Sequence, residues 1–241
     1  MATLFISDLH LCAERPHINQ QFFDFVERTA SQAAALYILG DLFEYWAGDD
    51  DLADPLNGRV AEALRSLGAK GTTVSFMHGN RDLLIGREFA QRCGATLIPD
   101  PTLLDLDGTR TLLMHGDTLC TDDIDYQKFR AHARNPGYQA QFLAQPLAAR
   151  REQILGLRAQ SERSKQDKSN EIMDVTQSAV VEALRSHGYP RLIHGHTHRP
   201  ARHAHTVDGH VCERWVLNDW YRRGGYLRCD ASGCRLIDLQ P

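Results

Sequence analysis

A chain of 241 residues is long enough to bury a sizeable core without staples, as one large domain or two small ones. With 42% apolar and 24% charged residues it is too apolar to be disordered. Its formal net charge of −4 excludes a polycation with a general grip on nucleic acid, and no nucleic-acid partner is expected.

The chain opens Met1-Ala2-Thr3-Leu4-Phe5-Ile6-Ser7-Asp8, with no basic leader before the first apolar run. No apolar stretch approaches the roughly 18 residues of a membrane helix. A soluble, cytoplasmic protein is expected. Five apolar runs each end in a polar cluster: Thr3-Leu4-Phe5-Ile6 before Ser7-Asp8-Leu9-His10; Leu36-Tyr37-Ile38-Leu39 before Gly40-Asp41; Val74-Ser75-Phe76-Met77 before His78-Gly79-Asn80-Arg81-Asp82; Leu112-Leu113-Met114 before His115-Gly116-Asp117; and Leu192-Ile193 before His194-Gly195-His196-Thr197-His198. Such runs read as buried strands. Between the early ones lie helical patterns, one with Phe22, Phe23, Phe25 and Val26, another with Val60, Ala63, Leu64 and Leu67. Strand alternating with helix predicts an α/β fold with ligands beyond the carboxyl ends of the strands.

The segment 121–170 lacks strand signals and predicts helices over 122–134, 138–150 and 151–166, an insertion in the domain. Residues 126–168 hold nine Lys/Arg against three acids, a local +6 set against −10 for the rest of the chain. A helix over 171–187 leads back to the fifth motif, and short strands follow at 213–217, 225–229 and 235–238. The six cysteines (12, 93, 120, 212, 229, 234) contain no CxxC pair and read as reduced thiols.

Asp8 and His10, two apart, can aim at one ion, and Asp41 supplies a carboxylate able to bridge two. Asn80 offers a neutral oxygen; His115, His196 and His198 add imidazoles. Carboxylate with imidazole and no thiolate suits Mn²⁺, Fe²⁺ or Zn²⁺. His78 and His194 are expected to support the ligands from behind, Cys12 to pack, Asp49-Asp50-Asp51 to form an exposed loop, and His203, His205 and His210 to be solvated.

The order D-x-H, GD, GN, HGD, HGHTH over residues 8–198 resembles the calcineurin-like metallophosphoesterase family. The resemblance implies a β-sandwich of two mixed sheets flanked by helices. It implies two Mn²⁺ ions, one held by Asp8, His10, Asp41 and His198, the other by Asp41, Asn80, His115 and His196. Most of the family carries His after GN, whereas this chain has Arg81. Arginine binds phosphate bidentately but cannot act as a neutral acid. A phosphate-monoester leaving group, with its second pKa of about 6, needs no such acid. The exchange favours a diphosphate substrate; the competing reading is that Arg81 only pairs with Asp82.

With Gly40-Asp41-Leu42-Phe43-Glu44-Tyr45-Trp46, 115–123 and 193–200, the motifs resemble the branch of this family that cleaves UDP-2,3-diacylglucosamine. That resemblance implies attack at the α-phosphorus giving UMP and 2,3-diacylglucosamine 1-phosphate, in lipid A biosynthesis, by an enzyme peripheral to the inner membrane. Asp41, Arg81 and His196 become the expected catalytic residues. Asn80, Arg81, Asp123, Ser161, Lys165, Lys168 and His196 become the expected substrate contacts. Lys165 stands where a small polar residue is usual, and Asn218 where Gly usually precedes Asp219. The helical insertion is expected to act as a lid, with Phe129, Phe142, Leu143, Leu147, Ile154, Leu155 and Leu157 as candidates for an acyl-chain slot and the +6 charge facing anionic lipid and diphosphate. Two alternatives stay open: another nucleotide diphosphatase or phosphodiesterase of this fold, and a non-catalytic scaffold.

Overall fold

The structure is a computed structural model that describes residues 1–166 and 174–239, with side chains described outside 160–166. In chain order its elements are β1 (Thr3–Ile6), α1 (Pro16–Arg28), β2 (Ala35–Leu39), α2 (Pro55–Ala69), β3 (Thr73–Met77), α3 (Arg87–Cys93), β4 (Thr96–Ile98), β5 (Thr102–Leu106), β6 (Thr109–Met114), α4 (Ile124–Ala133), α5 (Pro136–Leu143), α6 (Leu147–Gln166), α7 (Gln177–Ser186), β7 (Arg191–His194), β8 (Ala201–Val207), β9 (His210–Val216), β10 (Gly225–Asp230) and β11 (Gly233–Asp238).

The strands form two mixed sheets, one ordered β11-β10-β1-β2-β3-β4 and the other β5-β6-β7-β9-β8. Both faces of the central strands are covered, which is why their sequences are continuously apolar. Phe5, Leu39, Met77, Leu113 and Ile193 point into the layer between the sheets. Leu4, Ile6, Leu36, Ile38, Val74 and Phe76 point the other way, against Phe22, Phe25, Leu64 and Phe89 of the first three helices. On the far side, Val180 and Leu184 of α7 cover Leu112 and Leu192. The helix boundaries follow local chemistry. Pro16 and Pro55 stand in first turns, where a missing N–H costs nothing, and the Asp54 carboxylate caps α2.

Strands β1, β2 and β3 run parallel, as do β6 and β7. Their carboxyl ends therefore lie along one edge of the sandwich, and all five polar motifs emerge there. No described helix is long and apolar enough to cross a membrane.

Several expectations are corrected. Strands β4, β5 and β8 were not foreseen: β4 has three residues, and β5 and β8 are edge strands whose residues alternate between exposed and covered positions without a continuous apolar run. The helix expected over 138–150 ends at Leu143 and restarts at Leu147, because Pro146 cannot continue it. The described part of the helix expected over 171–187 begins only at Gln177, and 171–173 lie outside the described residues. Cys229 and Cys234 are joined by a disulfide, not reduced; they stand directly opposite each other in the β10–β11 hairpin. The other four cysteines are free.

The acidic run Asp49-Asp50-Asp51 is not a solvated loop. It forms a 3-10 turn (Asp49–Ala53) that anchors its neighbours. Asp49 accepts hydrogen bonds from the Trp46 indole and from the backbone N–H groups of Gly86, Glu88 and Phe89 at the start of α3. Asp50 and the buried Asp51 pair with Arg150 and Arg151 of α6. The positive charge of the insertion is likewise directed inward. Arg158 donates to the buried Glu44 at 2.5 Å, and Arg130 to the buried Asp117 at 2.7 Å, with Arg134 also within 3.6 Å of Asp117. Five arginines thus dock α4 and α6 on the acidic body, where the sequence reading had them facing an anionic ligand.

Candidate metal centre and active site

Each motif is held by backbone geometry that few residue types adopt. Asp8, His10, Asp41, His196 and His198 all have positive φ, between 51° and 69°. Non-glycine residues seldom take this conformation, and when they do they concentrate at functional sites. The loops are bolted together: Asp8 N–H donates to Gly40 O, His10 N–H to Asp41 O, Gly195 N–H to His115 O, and His196 N–H to Asp8 Oδ2 at 2.8 Å. Asp82 accepts from Gly79 N–H at 2.8 Å and from Leu42 N–H at 2.7 Å, joining the second and third motifs with one buried carboxylate. Burial, with the neighbouring Asp41 carboxylate, pushes the Asp82 pKa up to about 6. Two glycines are dictated by close approach. A Cβ on Gly79 would stand 2.1 Å from Asp41 Oδ1, and one on Gly195 would stand 2.3 Å from Asp8 Oδ2.

Six of the seven expected ligands present their donor atoms to one another. Asp8, His10 and His198 each offer one atom within 4.8 Å of the others, and so do Asp8, Asp41 and His115. Asp8 thus spans both clusters. His10 Nε2 is 3.9 Å from Asp41 Oδ2. Asn80 Oδ1 lies 3.1 Å from His115 Nε2. The ring of His196 lies beside the clusters, its centroid 5.0 Å from that of His115 and 5.7 Å from that of Tyr126.

The chemistry of these contacts fits divalent cations. His115 Nδ1 is 2.8 Å from Leu39 O, which fixes one proton there and leaves Nε2, the nitrogen facing Asn80 Oδ1, to take up a metal ion or, without one, a second proton. Two acceptors at that separation need a cation or a proton between them. His10 Nε2 and His198 Nε2 face each other at 3.5 Å. The buried Asp8 Oδ1 has no aligned hydrogen-bond donor, although His198 Nε2 is 3.3 Å away. The electrostatics agree. Burial disfavours charge on His115, yet Asp41, Asp117 and Asp8 together push its pKa up to about 9. Burial, then His115, pushes His196 down to about 3. Burial raises Asp41, with Asp8 adding to the effect. Carboxylates crowded to this degree are stabilised by nearby positive charge.

The family model for calcineurin-like phosphoesterase matches residues 1–200. The chain belongs to the calcineurin-like phosphoesterase family. Proteins named UDP-2,3-diacylglucosamine hydrolase are similar to this phosphoesterase over nearly its whole length. That of Aromatoleum aromaticum is 57% identical over 97% of this chain and 95% of its own. That of Cellvibrio japonicus is 54% identical over 98% of both chains, and that of Escherichia coli O7:K1 is 49% identical over 98% of both.

The remaining expected residues of this phosphoesterase fall in different places. Arg81 Nη1 stands 3.9 Å from Glu44 Oε1, and its backbone N–H donates to Asp41 Oδ1 at 2.8 Å. Asp123 caps α4, accepting from Tyr126 N–H at 3.1 Å. The side chains of Ser161 and Lys165, and all of Lys168, lie outside the described residues. A cavity of about 360 Å³ runs from Asn80 and Arg81 between the body and the inserted helices. Phe129, Phe142, Ile154 and Leu157 line it; Leu143, Leu147 and Leu155 do not. His78 and His194 support the site through backbone carbonyls, at Ile85 O and Gly195 O. Cys12 is outside both clusters and receives a hydrogen bond from Arg15 at 3.2 Å.

Sequence reasoning missed Glu44, Asp117 and Tyr221. Glu44 lies buried among Arg15, Arg81 and Arg158. Asp117 accepts from the Tyr126 hydroxyl at 2.9 Å as well as from Arg130. The ring of Tyr221 stacks on that of His10 at 4.9 Å. Glu44 and Asp117 sit inside motifs already singled out, and that position was the available signal. Near Tyr221 the signal was the family position at Asn218-Asp219, to which no site role was attached.

Proposed function

We propose that the protein hydrolyses the diphosphate of UDP-2,3-diacylglucosamine at the α-phosphorus, giving UMP and 2,3-diacylglucosamine 1-phosphate for lipid A biosynthesis. The observation that carries this reading is the apolar cavity between body and insertion, whose polar end is formed by Asn80 and Arg81 beside the two donor clusters. A soluble nucleotide has no use for walls of Phe129, Phe142, Ile154 and Leu157, whereas an acyl chain gains from leaving water there. The names carried by relatives at 49–57% identity support the same substrate.

Asp8, His10, Asp41 and His198 would hold one Mn²⁺, and Asp41, Asn80, His115 and His196 a second, with Asp8 close to both. Once bound, the ions supply Lewis-acid polarisation of the phosphoryl group and lower the pKa of water. The chain's own residues do the rest. Asp41 receives the Arg81 backbone N–H, so ligand and guanidinium, on two separate loops, are held in a fixed relation. Arg81 and His196 stabilise charge on the phosphoryl oxygens. The departing phosphate monoester requires no general acid, and the chain has Arg where one would stand. Helices α4–α6 act as a lid that closes the lipid end, and the apolar Ile124, Leu143 and Leu155 on their outer surface suit a peripheral position on the inner membrane. Ser161, Lys165 and Lys168 are assigned to substrate contact by resemblance alone.

Hydrolysis in ¹⁸O-water tests the reaction. The label is expected in UMP; label in the lipid phosphate would place attack at the other phosphorus. Arg81→Ala should lower kcat by roughly a hundredfold, the size of effect seen when one transition-state donor is removed. Its melting temperature should change by only a few degrees. A collapsed melting temperature with normal turnover would make Arg81 a structural residue.

A further inference from the structure

Arg214 on β9 is 7% exposed, and the hydrogen bonds of its guanidinium go to two imidazoles. Its Nη1 is 3.1 Å from His194 Nε2, and its Nε donates to His205 Nε2 at 3.2 Å. His203, His205 and His210 were all expected in water, but the pairing of β8 with β9 turns His205 inward, leaving only His210 exposed and His203 half-buried. A buried cation is costly unless its protons are all usefully placed. Here the placement has a definite chemical consequence. Arginine stays protonated and only donates, so each imidazole nitrogen it touches must be a bare acceptor. His194 is therefore neutral with its proton on Nδ1, the less common tautomer of a free histidine. His194 Nδ1 is 2.8 Å from Gly195 O and donates that proton to it. The same carbonyl accepts Thr197 N–H, while Gly195 N–H donates to His115 O and His196 N–H to Asp8 Oδ2.

We propose that Arg214 is a positioning residue for the metal centre: by fixing the His194 tautomer it clamps the Gly195 carbonyl and with it the turn that presents His196 and His198. The role rests on the metal reading above only in what the turn is for. The hydrogen bonds of the two residues go to each other, to His205 and to Gly195 O rather than to a ligand side chain, so the action passes through the backbone of the turn. By the same rule His205 carries its proton on Nδ1, so the Gln177 amide at the start of α7, 3.2 Å away, must turn its oxygen to that proton, which holds the other side of the guanidinium.

The test is long-range ¹H–¹⁵N correlation spectroscopy on the full chain, labelled at histidine nitrogen and loaded with diamagnetic Mg²⁺. It is paired with measurement of the Mn²⁺ concentration giving half-maximal hydrolysis. Wild-type His194 is expected as the Nδ1–H tautomer. In Arg214→Met it should revert to Nε2–H, and the Mn²⁺ requirement should rise about tenfold, as when an outer partner of a ligand loop is lost. Arg214→Lys, which keeps one donor, should retain the wild-type tautomer and recover most of the Mn²⁺ affinity. A wild-type His194 protonated on Nε2 would overturn the proposal, and so would an Arg214→Met chain with unchanged tautomer and Mn²⁺ requirement. If Arg214→Met does not fold, the wild-type spectrum and Arg214→Lys still decide. A wild-type chain that binds no Mn²⁺ would defeat the metal reading by itself, while the tautomer would still report on Arg214.

Discussion

Asp41→Ala should abolish turnover, with a fall of at least roughly a thousandfold, about 4 kcal/mol of transition-state stabilisation. The carboxylate stands where the two donor clusters meet, 3.9 Å from His10 Nε2 on one side and 3.9 Å from His115 Nε2 on the other. In the proposed coordination its removal would take a ligand from both ions at once, and it deletes the acceptor of the Arg81 backbone N–H. Stability should move the other way. Burial and the neighbouring Asp8 raise the Asp41 pKa, so ionisation is penalised in the folded chain and its charge costs stability at neutral pH. Without metal, Asp41→Ala should therefore melt at or above the wild-type temperature, and it should lose the rise that Mn²⁺ gives the wild type. Near-normal kcat at saturating Mn²⁺ would contradict the assignment of Asp41.

The second large effect belongs to the cavity wall. Phe129 and Leu157 line the cavity yet are 44% and 42% exposed in the free chain, so a charge at either position need not disturb the core. Phe129→Asp or Leu157→Asp should cost about 2 kcal/mol of apolar contact with an acyl chain. That corresponds to roughly thirtyfold in kcat/KM for UDP-2,3-diacylglucosamine. A small chromogenic phosphodiester, which does not reach the wall, should be cleaved within about twofold of the wild-type rate. Equal losses on both substrates would mean that these side chains support the centre itself. Truncating the insertion is a poorer test, because α4 grips the centre. Tyr126 and Arg130 hold Asp117, and Arg134 donates to Gly79 O at 3.1 Å. Removing them would damage both activities.

The parts of the fold legible in the sequence are those where one physical demand dominates. Strands β1, β2, β3, β6 and β7 are covered on both faces, so each reads as an unbroken apolar run, and each ends where glycine and ligand types begin. Edge strands β5 and β8 face water on one side, and their polar residues hide them among loops. The seven candidate ligands were legible because metal coordination demands particular atoms in a fixed order along the chain. Their partners were not. Asp49, Asp50 and Asp51 in a row resemble a solvated loop until Arg150, Arg151 and the start of α3 are brought against them from distant positions. Arg130, Arg134 and Arg158 look like a basic surface until Asp117 and Glu44 are seen buried beneath them. In each case the decisive fact is a pairing across 13 to 114 residues, which composition and spacing do not encode.

The most direct test of the whole account is anomalous diffraction at the manganese edge from crystals of the full chain grown with Mn²⁺. Two peaks are predicted, both bounded by Asp41 and Asp8, with His10 and His198 on one side and Asn80, His115 and His196 on the other. No peak in this cluster, or an ion held by residues elsewhere in the chain, would contradict it.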